Sequence, residues 1–358
     1  MRTAATFCEI ESEEWSSTSP DIWSYRSDLR ESDLVLSLAK TIFDQPRWIE
    51  ARYLYDERGS HLFQRICELP EYYLTRTEAS ILSRQAGAII STAQPDCIVE
   101  LGAGSAQKTT YLLAEQVRQL EGGTYVPIDV SLAALAETRA TVRSHFPRIR
   151  FQGLNGRYEE AVPVLDGDSR KLFIFLGSTV GNLTPVEFGG FFNHLTGCMG
   201  TGDYFLLGID RVKDRSVLEK AYNDSSGITR LFILNAFNYI NETTGSCFDL
   251  SGLDYLSFYS SEWNRVEMYA VAQEPQEIRF PSLKTGFLWE AGERVLVEIS
   301  RKFDPVQLQN QLRLFELEPQ LHFTDSQAWF SLLLFQKVAP GRRVALPGDP
   351  SSPMSPGQ

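Results

Sequence analysis

Two loops and one acid in this chain have the residue types and spacing to do chemistry. The first loop lies in Cys97–Thr110, CIVELGAGSAQKTT, where an apolar run closes on Glu100-Leu101 and breaks into Gly102-Ala103-Gly104-Ser105 before a helix-like segment carrying Lys108. Glycines at the carboxyl end of a strand let the backbone approach a ligand closely, and the helix start that follows aims free N–H groups at it. The second loop follows the run Lys171–Gly177 and reads Gly177-Ser178-Thr179-Val180-Gly181-Asn182. In open α/β sheets ligands sit beyond the carboxyl ends of the strands, so both loops belong to one edge. Asp129 ends a third apolar run, about 27 residues after Gly102, where an acid can bind ribose hydroxyls. Each residue also has a plainer reading: Glu100 as an exposed acid, Lys108 as a solvated helix lysine, Asn182 as a helix N-cap before Pro185.

The elements that must position these loops alternate. Strand-like runs at Asp96–Leu101, Thr124–Asp129, Arg148–Leu154, Lys171–Gly177 and Asp203–Asp210 are separated by helix-like stretches at Ala106–Leu120, Ser131–His145 and Pro185–Cys198. This rhythm predicts βαβ units and a parallel sheet covered on both faces. Two later runs, Arg294–Phe303 and Trp329–Lys337, flank the helix-like Pro305–Phe315 and are expected to complete a seven-stranded sheet. The intervening Arg211–Gly292 is then an insertion that builds a lid or second domain, packed with the N-terminal segment and its amphipathic Asp33–Phe43. The tail 339–358 holds five prolines without apolar periodicity and reads as disordered.

Composition narrows the partners. At 358 residues and 43% hydrophobic the chain can bury one large core or two linked ones. A net charge of −12 argues against nucleic acid or an anionic membrane, which need a basic face. Five scattered cysteines and four distant histidines lack metal spacing, and no apolar run nears the roughly 18 residues of a spanning helix. A reduced, metal-free, cytoplasmic protein acting on a small molecule is expected, with a monomer as the working state. The glycine loop lacks the third glycine of the dinucleotide fingerprint. Its short E-L-G-x-G form suits S-adenosylmethionine, whose methionine moiety carries no pyrophosphate, over a nicotinamide cofactor. The Asp/Asn-Pro-Pro-aromatic tetrad of methyltransferases acting on nucleobase or amide nitrogens is absent after Phe175.

Longer motifs carry a resemblance. YLYDERGSHLF (53–63), LPEYYLTRTEA (69–79), VELGAGSAQKT (99–109), YVPIDVS (125–131), FLGSTVGN (175–182), LLGIDRVKD (206–214), AYND (221–224), RVEMY (265–269) and VEISRKF (297–303) resemble the histidine Nα-methyltransferase family, which forms hercynine in ergothioneine biosynthesis. The resemblance runs from about Tyr53 to Gln336. It implies an α/β, class I S-adenosylmethionine-dependent methyltransferase fold: a Rossmann-like, mostly parallel seven-stranded sheet with a second, smaller substrate-binding domain. The implied division is 77–212 plus 300–338 for the methyltransferase domain and 24–76 plus 213–299 for the substrate domain.

Roles follow from the resemblance alone. It implies that Tyr55, Asn182 and Tyr222 are the catalytic residues around the reacting amino acid, with Asn182 and Tyr222 on its α-carboxylate. Phe63, Tyr72, Gly177 and Thr179 line the pocket, Glu298 and Ser300 hydrogen-bond the imidazole, and Met268 packs beside it. Glu100, Gly102, Gly104, Ser105, Lys108, Asp129 and Tyr158 form the cofactor side. The chemistry is consistent: an amide and a phenol can hold a carboxylate, while a carboxylate and a hydroxyl two apart on a strand reach the same face. One departure stands out. The family places an acid followed by phenylalanine against adenine, whereas this chain reads Asn155-Gly156-Arg157-Tyr158. Tyr158 can still stack, and Asn155 or a backbone carbonyl is expected to replace the acid. Rival readings are an Nα-methyltransferase of another amino acid, such as a tryptophan derivative, and a non-catalytic binding homologue. Met268 with Glu298 favours imidazole, since an indole calls for smaller, apolar neighbours.

Overall fold

Runs such as Cys97–Leu101 and Lys171–Phe175 have no polar face to give to solvent, and each is buried on both sides of a sheet. The computed structural model describes residues 14–25, 31–104, 106–165 and 169–339; Ser105 and 340–358, nearly all of the expected tail, lie outside the described residues. The strands are β1 (Trp15–Ser19), β2 (Ile22–Tyr25), β3 (Cys97–Leu101), β4 (Gly123–Asp129), β5 (Ile149–Phe151), β6 (Gly153–Asn155), β7 (Lys171–Phe175), β8 (Tyr204–Asp210), β9 (Leu253–Ser260), β10 (Arg265–Ala272), β11 (Gln276–Phe280), β12 (Thr285–Trp289), β13 (Arg294–Arg301), β14 (Leu317–Thr324) and β15 (Phe330–Lys337). The helices are α1 (Glu31–Ile42), α2 (Glu57–Glu68), α3 (Leu74–Ala93), α4 (Thr110–Leu120), α5 (Leu132–His145), α6 (Tyr158–Ala161), α7 (Pro185–Cys198), α8 (Arg215–Tyr222), α9 (Ile228–Thr244) and α10 (Pro305–Arg313).

The main sheet runs β1-β2-β6-β4-β3-β7-β8-β15-β14, with β5 paired to β4. From β2 to β8 the pairs are parallel, while β15 is antiparallel to both β8 and β14. The seven strands from β6 to β14 form the mostly parallel sheet that the alternation predicts, with the order reversing at β3. Side chains alternate between two cores: Ile98, Leu172, Ile174 and Leu206 face one, and Val99, Phe173, Phe175 and Leu207 the other. Local chemistry marks the helix starts. Thr184 and Glu187 form a reciprocal capping box with Pro185 in the first turn of α7, and Asp304 caps α10 ahead of Pro305.

Two expectations are corrected. Arg294–Arg301 does not join the main sheet; β13 pairs antiparallel with β10 in a separate sheet of order β13-β10-β9. Its place beside β15 is taken by β14, whose run LEPQLHFT alternates half-buried and exposed positions from Pro319 onward, as an edge strand does. The N-terminal segment is also not wholly part of the inserted region. The hairpin β1-β2 extends the main sheet, with Ile22, Trp23 and Ser24 paired in parallel to Gly153, Leu154 and Asn155. Trp15 is buried with the core face that holds Phe175 and Phe191.

Candidate active site

The glycine loop adopts the geometry its composition allows. Gly102 (φ 76°) and Gly104 (φ 50°) both hold left-handed backbone, which strains any residue with a β-carbon. Gly102 N–H donates to the Ile128 carbonyl at 2.9 Å, and Gly104 N–H to Asp129 Oδ2 at 3.0 Å. The other Asp129 oxygen accepts from Ser131 N–H at 2.8 Å, so this carboxylate ties the ends of β3 and β4 together. A β-carbon on Gly102 would stand 3.2 Å from the Tyr158 hydroxyl, whereas one on Gly104 would meet nothing within 4 Å. Tyr158 is half-buried, edge-on to Phe175 and Phe191 at 5.7 and 6.0 Å between ring centroids. Open space over Gly104, the Asp129 carboxylate at the end of β4, and an aromatic ring beside Gly102 fit an adenosine-bearing cofactor.

Two cofactor-side residues sit differently from expectation. Glu100 is buried beneath the loop, accepting from Thr109 Oγ1 at 2.6 Å and from the Tyr125 hydroxyl. Burial pushes its pKa up to about 7 against the pull of these two bonds. Neither the exposed acid nor an open ligand contact describes it; it braces β3 against α4 and β4. Lys108 is no solvated lysine either. It is ion-paired with the buried Glu78, which also accepts from Gly177 N–H at 2.9 Å. Its ammonium lies 3.5 Å from where a β-carbon on Gly177 would stand, so Lys108 joins the two chemistry-bearing loops. Of the residues expected near adenine, Arg157 is exposed, and Asn155 is engaged by Ser24 and by the Asp129 carbonyl at 3.2 and 3.0 Å.

Beyond the second loop a pocket, partly open to solvent, is bordered by all ten residues expected to touch the amino acid. Tyr55, Phe63 on α2, and Tyr72 between α2 and α3 form one wall with Phe232 of α9. Ring centroids step from Tyr55 to Phe63 to Tyr72 to Tyr222 at 5.8, 6.4 and 6.0 Å. Gly177, Thr179 and Asn182 enter from the loop after β7, and α7 is capped by Thr184, which leaves Asn182 free of that duty. Met268 and Glu298 are direct cross-strand partners on β10 and β13, with the register shifting just after Met268. Asn182 Nδ2 donates to Glu298 Oε1 at 2.8 Å, and the Tyr222 and Ser300 hydroxyls are 2.8 Å apart.

Behind this wall lie residues not singled out from the sequence. Lys302 contacts Tyr222, Ser300 and Asp210, and Asp210 also accepts from Tyr73 and Lys213. The signal was present: the alternation that pairs Glu298 with Ser300 carries on to Lys302. Among the described residues no group of His, Cys, Asp or Glu is placed to hold a metal ion, and no helix is long and apolar enough to cross a membrane.

Burial pushes the Glu298 carboxyl up from 4.5 to about 8, opposed by the charge of Lys302 and a hydrogen bond from Tyr55. Between those values the folded protein holds a proton that the unfolded chain releases, so stability falls as pH rises. A melting series of the ligand-free protein should decline from about pH 5 to pH 8, and Glu298→Gln should flatten that decline. An equal slope in the variant would place the titrating group elsewhere.

The model of the histidine-specific, S-adenosylmethionine-dependent methyltransferases matches residues 32–337. The chain belongs to that family. A histidine N-alpha-methyltransferase of Mycolicibacterium smegmatis is 36% identical over 294 residues, covering 81% of this chain and 90% of that one. Ergothioneine biosynthesis protein 1 of Neurospora crassa is 30% identical over 285 residues, 77% of this chain and 30% of its own length. More distant is a 4-dimethylallyltryptophan N-methyltransferase of Claviceps purpurea, 28% identical over 261 residues, 67% of this chain and 75% of that one. This protein is an S-adenosylmethionine-dependent methyltransferase. The matched segment begins after β2, so the N-terminal hairpin lies outside it.

Proposed function

We propose that this methyltransferase trimethylates the α-amino nitrogen of L-histidine to hercynine, the first step of ergothioneine biosynthesis. The observation that carries this reading is the pocket's two polar pairs, Asn182–Glu298 and Tyr222–Ser300, set among aromatic rings where Lys108 meets Gly177. When bound, S-adenosylmethionine supplies an activated methyl on its sulfonium. The backbones at Gly102 and Gly104 leave room for it, Asp129 is placed for its ribose, and Tyr158 for its base. Asn182 and Tyr222 hold the amino acid's carboxylate, with Tyr55 and Tyr72 beside the amine. Glu298 and Ser300 read the imidazole, and Met268 closes the wall next to it. Fixing the amine in line is the residues' main contribution, because the displacement is then effectively unimolecular. Aromatic faces tolerate the growing cationic head group through successive transfers.

We assign the inserted elements α8, α9 and β9 to β13, with the segment from α1 to Tyr72, to substrate binding. Ser24 and Tyr25 go with the main sheet, and Ser300 goes with β13. We place the reaction in the cytoplasm, carried out by a monomer.

The test is direct. Incubated with S-adenosylmethionine and each of the twenty amino acids, the protein should add up to three methyl groups to histidine alone, read by mass. Methylation of tryptophan without histidine would select the indole reading that the Claviceps relative's name carries. The buried Met268–Glu298 pair, a bulky thioether facing a carboxyl, favours imidazole.

A further inference from the structure

The Lys302 side chain is withdrawn entirely from solvent. An ammonium has three donors and no acceptor, and three oxygens stand 2.8 Å from Nζ: Asp210 Oδ2, the Tyr222 hydroxyl and Ser300 Oγ. Every donor is used, and each hydroxyl must accept from the lysine. Two O–H protons then remain for the pair. One bridges Tyr222 and Ser300 across their 2.8 Å contact; the other is left to the cavity that both side chains line. The pair therefore offers an anion one donor, backed by a cation in direct contact with both oxygens.

Charge bookkeeping points the same way. Asp210 is fully buried and is shared by two ammonium groups, Lys302 and Lys213, while Tyr73 donates to it at 2.8 Å. Asp325, which does not border the cavity, also acts on Lys213. On the cavity side the positive charge of Lys302 is felt by Glu298, the carboxyl nearest the ligand space. Among the described residues no arginine borders the cavity.

We propose that Lys302 is a specificity-determining positioning residue: it fixes the direction of the Tyr222 and Ser300 hydroxyls and supplies the charge by which the cavity selects an amino acid's α-carboxylate. The assignment rests on histidine being the acceptor. Lys302 acts through the two hydroxyls and does not border the cavity itself.

The experiment compares two ligands on the full chain saturated with S-adenosylhomocysteine: L-histidine and L-histidinol, which has an alcohol in place of the carboxylate. Calorimetry should show wild type preferring histidine. Lys302→Met leaves Asp210 paired with Lys213, so no lone carboxylate is left buried. In this variant the preference should fall at least about tenfold, while affinity for S-adenosylhomocysteine alone stays within about twofold. A purely structural lysine would move both affinities or neither, and an unchanged histidine-to-histidinol ratio overturns the proposal. Lys302→Gln, neutral but still a donor, should show the same fall and serves if the methionine variant is insoluble. Failure of both variants to fold would make the lysine structural and overturn the proposal as well. If wild type binds no histidine, it is the proposed function that has failed.

Discussion

Glu298→Ala should raise the dissociation constant for histidine by about a hundredfold or more, the loss typical of removing one member of a buried, charge-assisted hydrogen-bonded set. Three effects add. The Asn182 amide loses the acceptor at 2.8 Å, the imidazole loses the partner that the proposed function gives it, and a void opens opposite Met268. Because burial pushes this carboxyl up to about 8, it can serve either ring tautomer near neutral pH: protonated, it donates to a bare nitrogen; ionised, it accepts from an N–H. Glu298 lies in the acceptor cavity and is not among the groups around Gly104. Affinity for S-adenosylhomocysteine should therefore stay within about twofold of wild type. Calorimetric titration with each ligand separates the two. Equal histidine affinity in the variant would remove Glu298 from the site.

Asp210→Asn is expected to produce the largest loss of stability, about 3 kcal/mol or more, because it leaves two buried ammonium groups without their carboxylate. Urea unfolding measures it. The pH dependence carries a sign. Burial already lowers Lys213 from 10.5 to about 8, outweighing the attraction of Asp210. Without that carboxylate its folded value drops further, so between that value and 10.5 the unfolded chain binds the extra proton. Stability of the variant must then rise with pH across this window, in contrast to the falling trend from Glu298. A loss that is small and indifferent to pH would mean that Asp210 does not bear the charge of the cluster.

How much of this was legible from the residues depends on the range of each signal. The parallel core was plain, because β3, β7 and β8 are continuous apolar runs and α7 announces both its ends, from Thr184-Pro185 to Cys198. The cavity lining came through motifs, since Asn182, Tyr222 and Glu298 are far apart in the chain and only a resemblance links them. Partner choice was not legible. The alternation in Arg294–Arg301 fixes a pleat without saying which strand it pairs with, and it pairs with β10. The β1-β2 hairpin was hidden for a related reason: WSSTS is polar by composition, and β6, the sheet neighbour of β2, lies far along the chain. Glu100 and Lys108 were recognisable as special, but only packing shows that one braces the glycine loop from below and the other is held by Glu78.

The position of β15 has a consequence for the order in which the molecule can be made. It lies inside the sheet, between β8 and β14, yet it is the last of the described strands in sequence. As the chain leaves the ribosome, β8 emerges with one row of amides and carbonyls unpaired, and it stays so while the whole inserted sheet is synthesised. An open strand edge of that kind invites pairing with other chains. The strands β9 to β13 are thus threaded out during the interval in which the main sheet is unfinished. The main sheet closes only when Phe330–Lys337 arrives and zips β8 to β14.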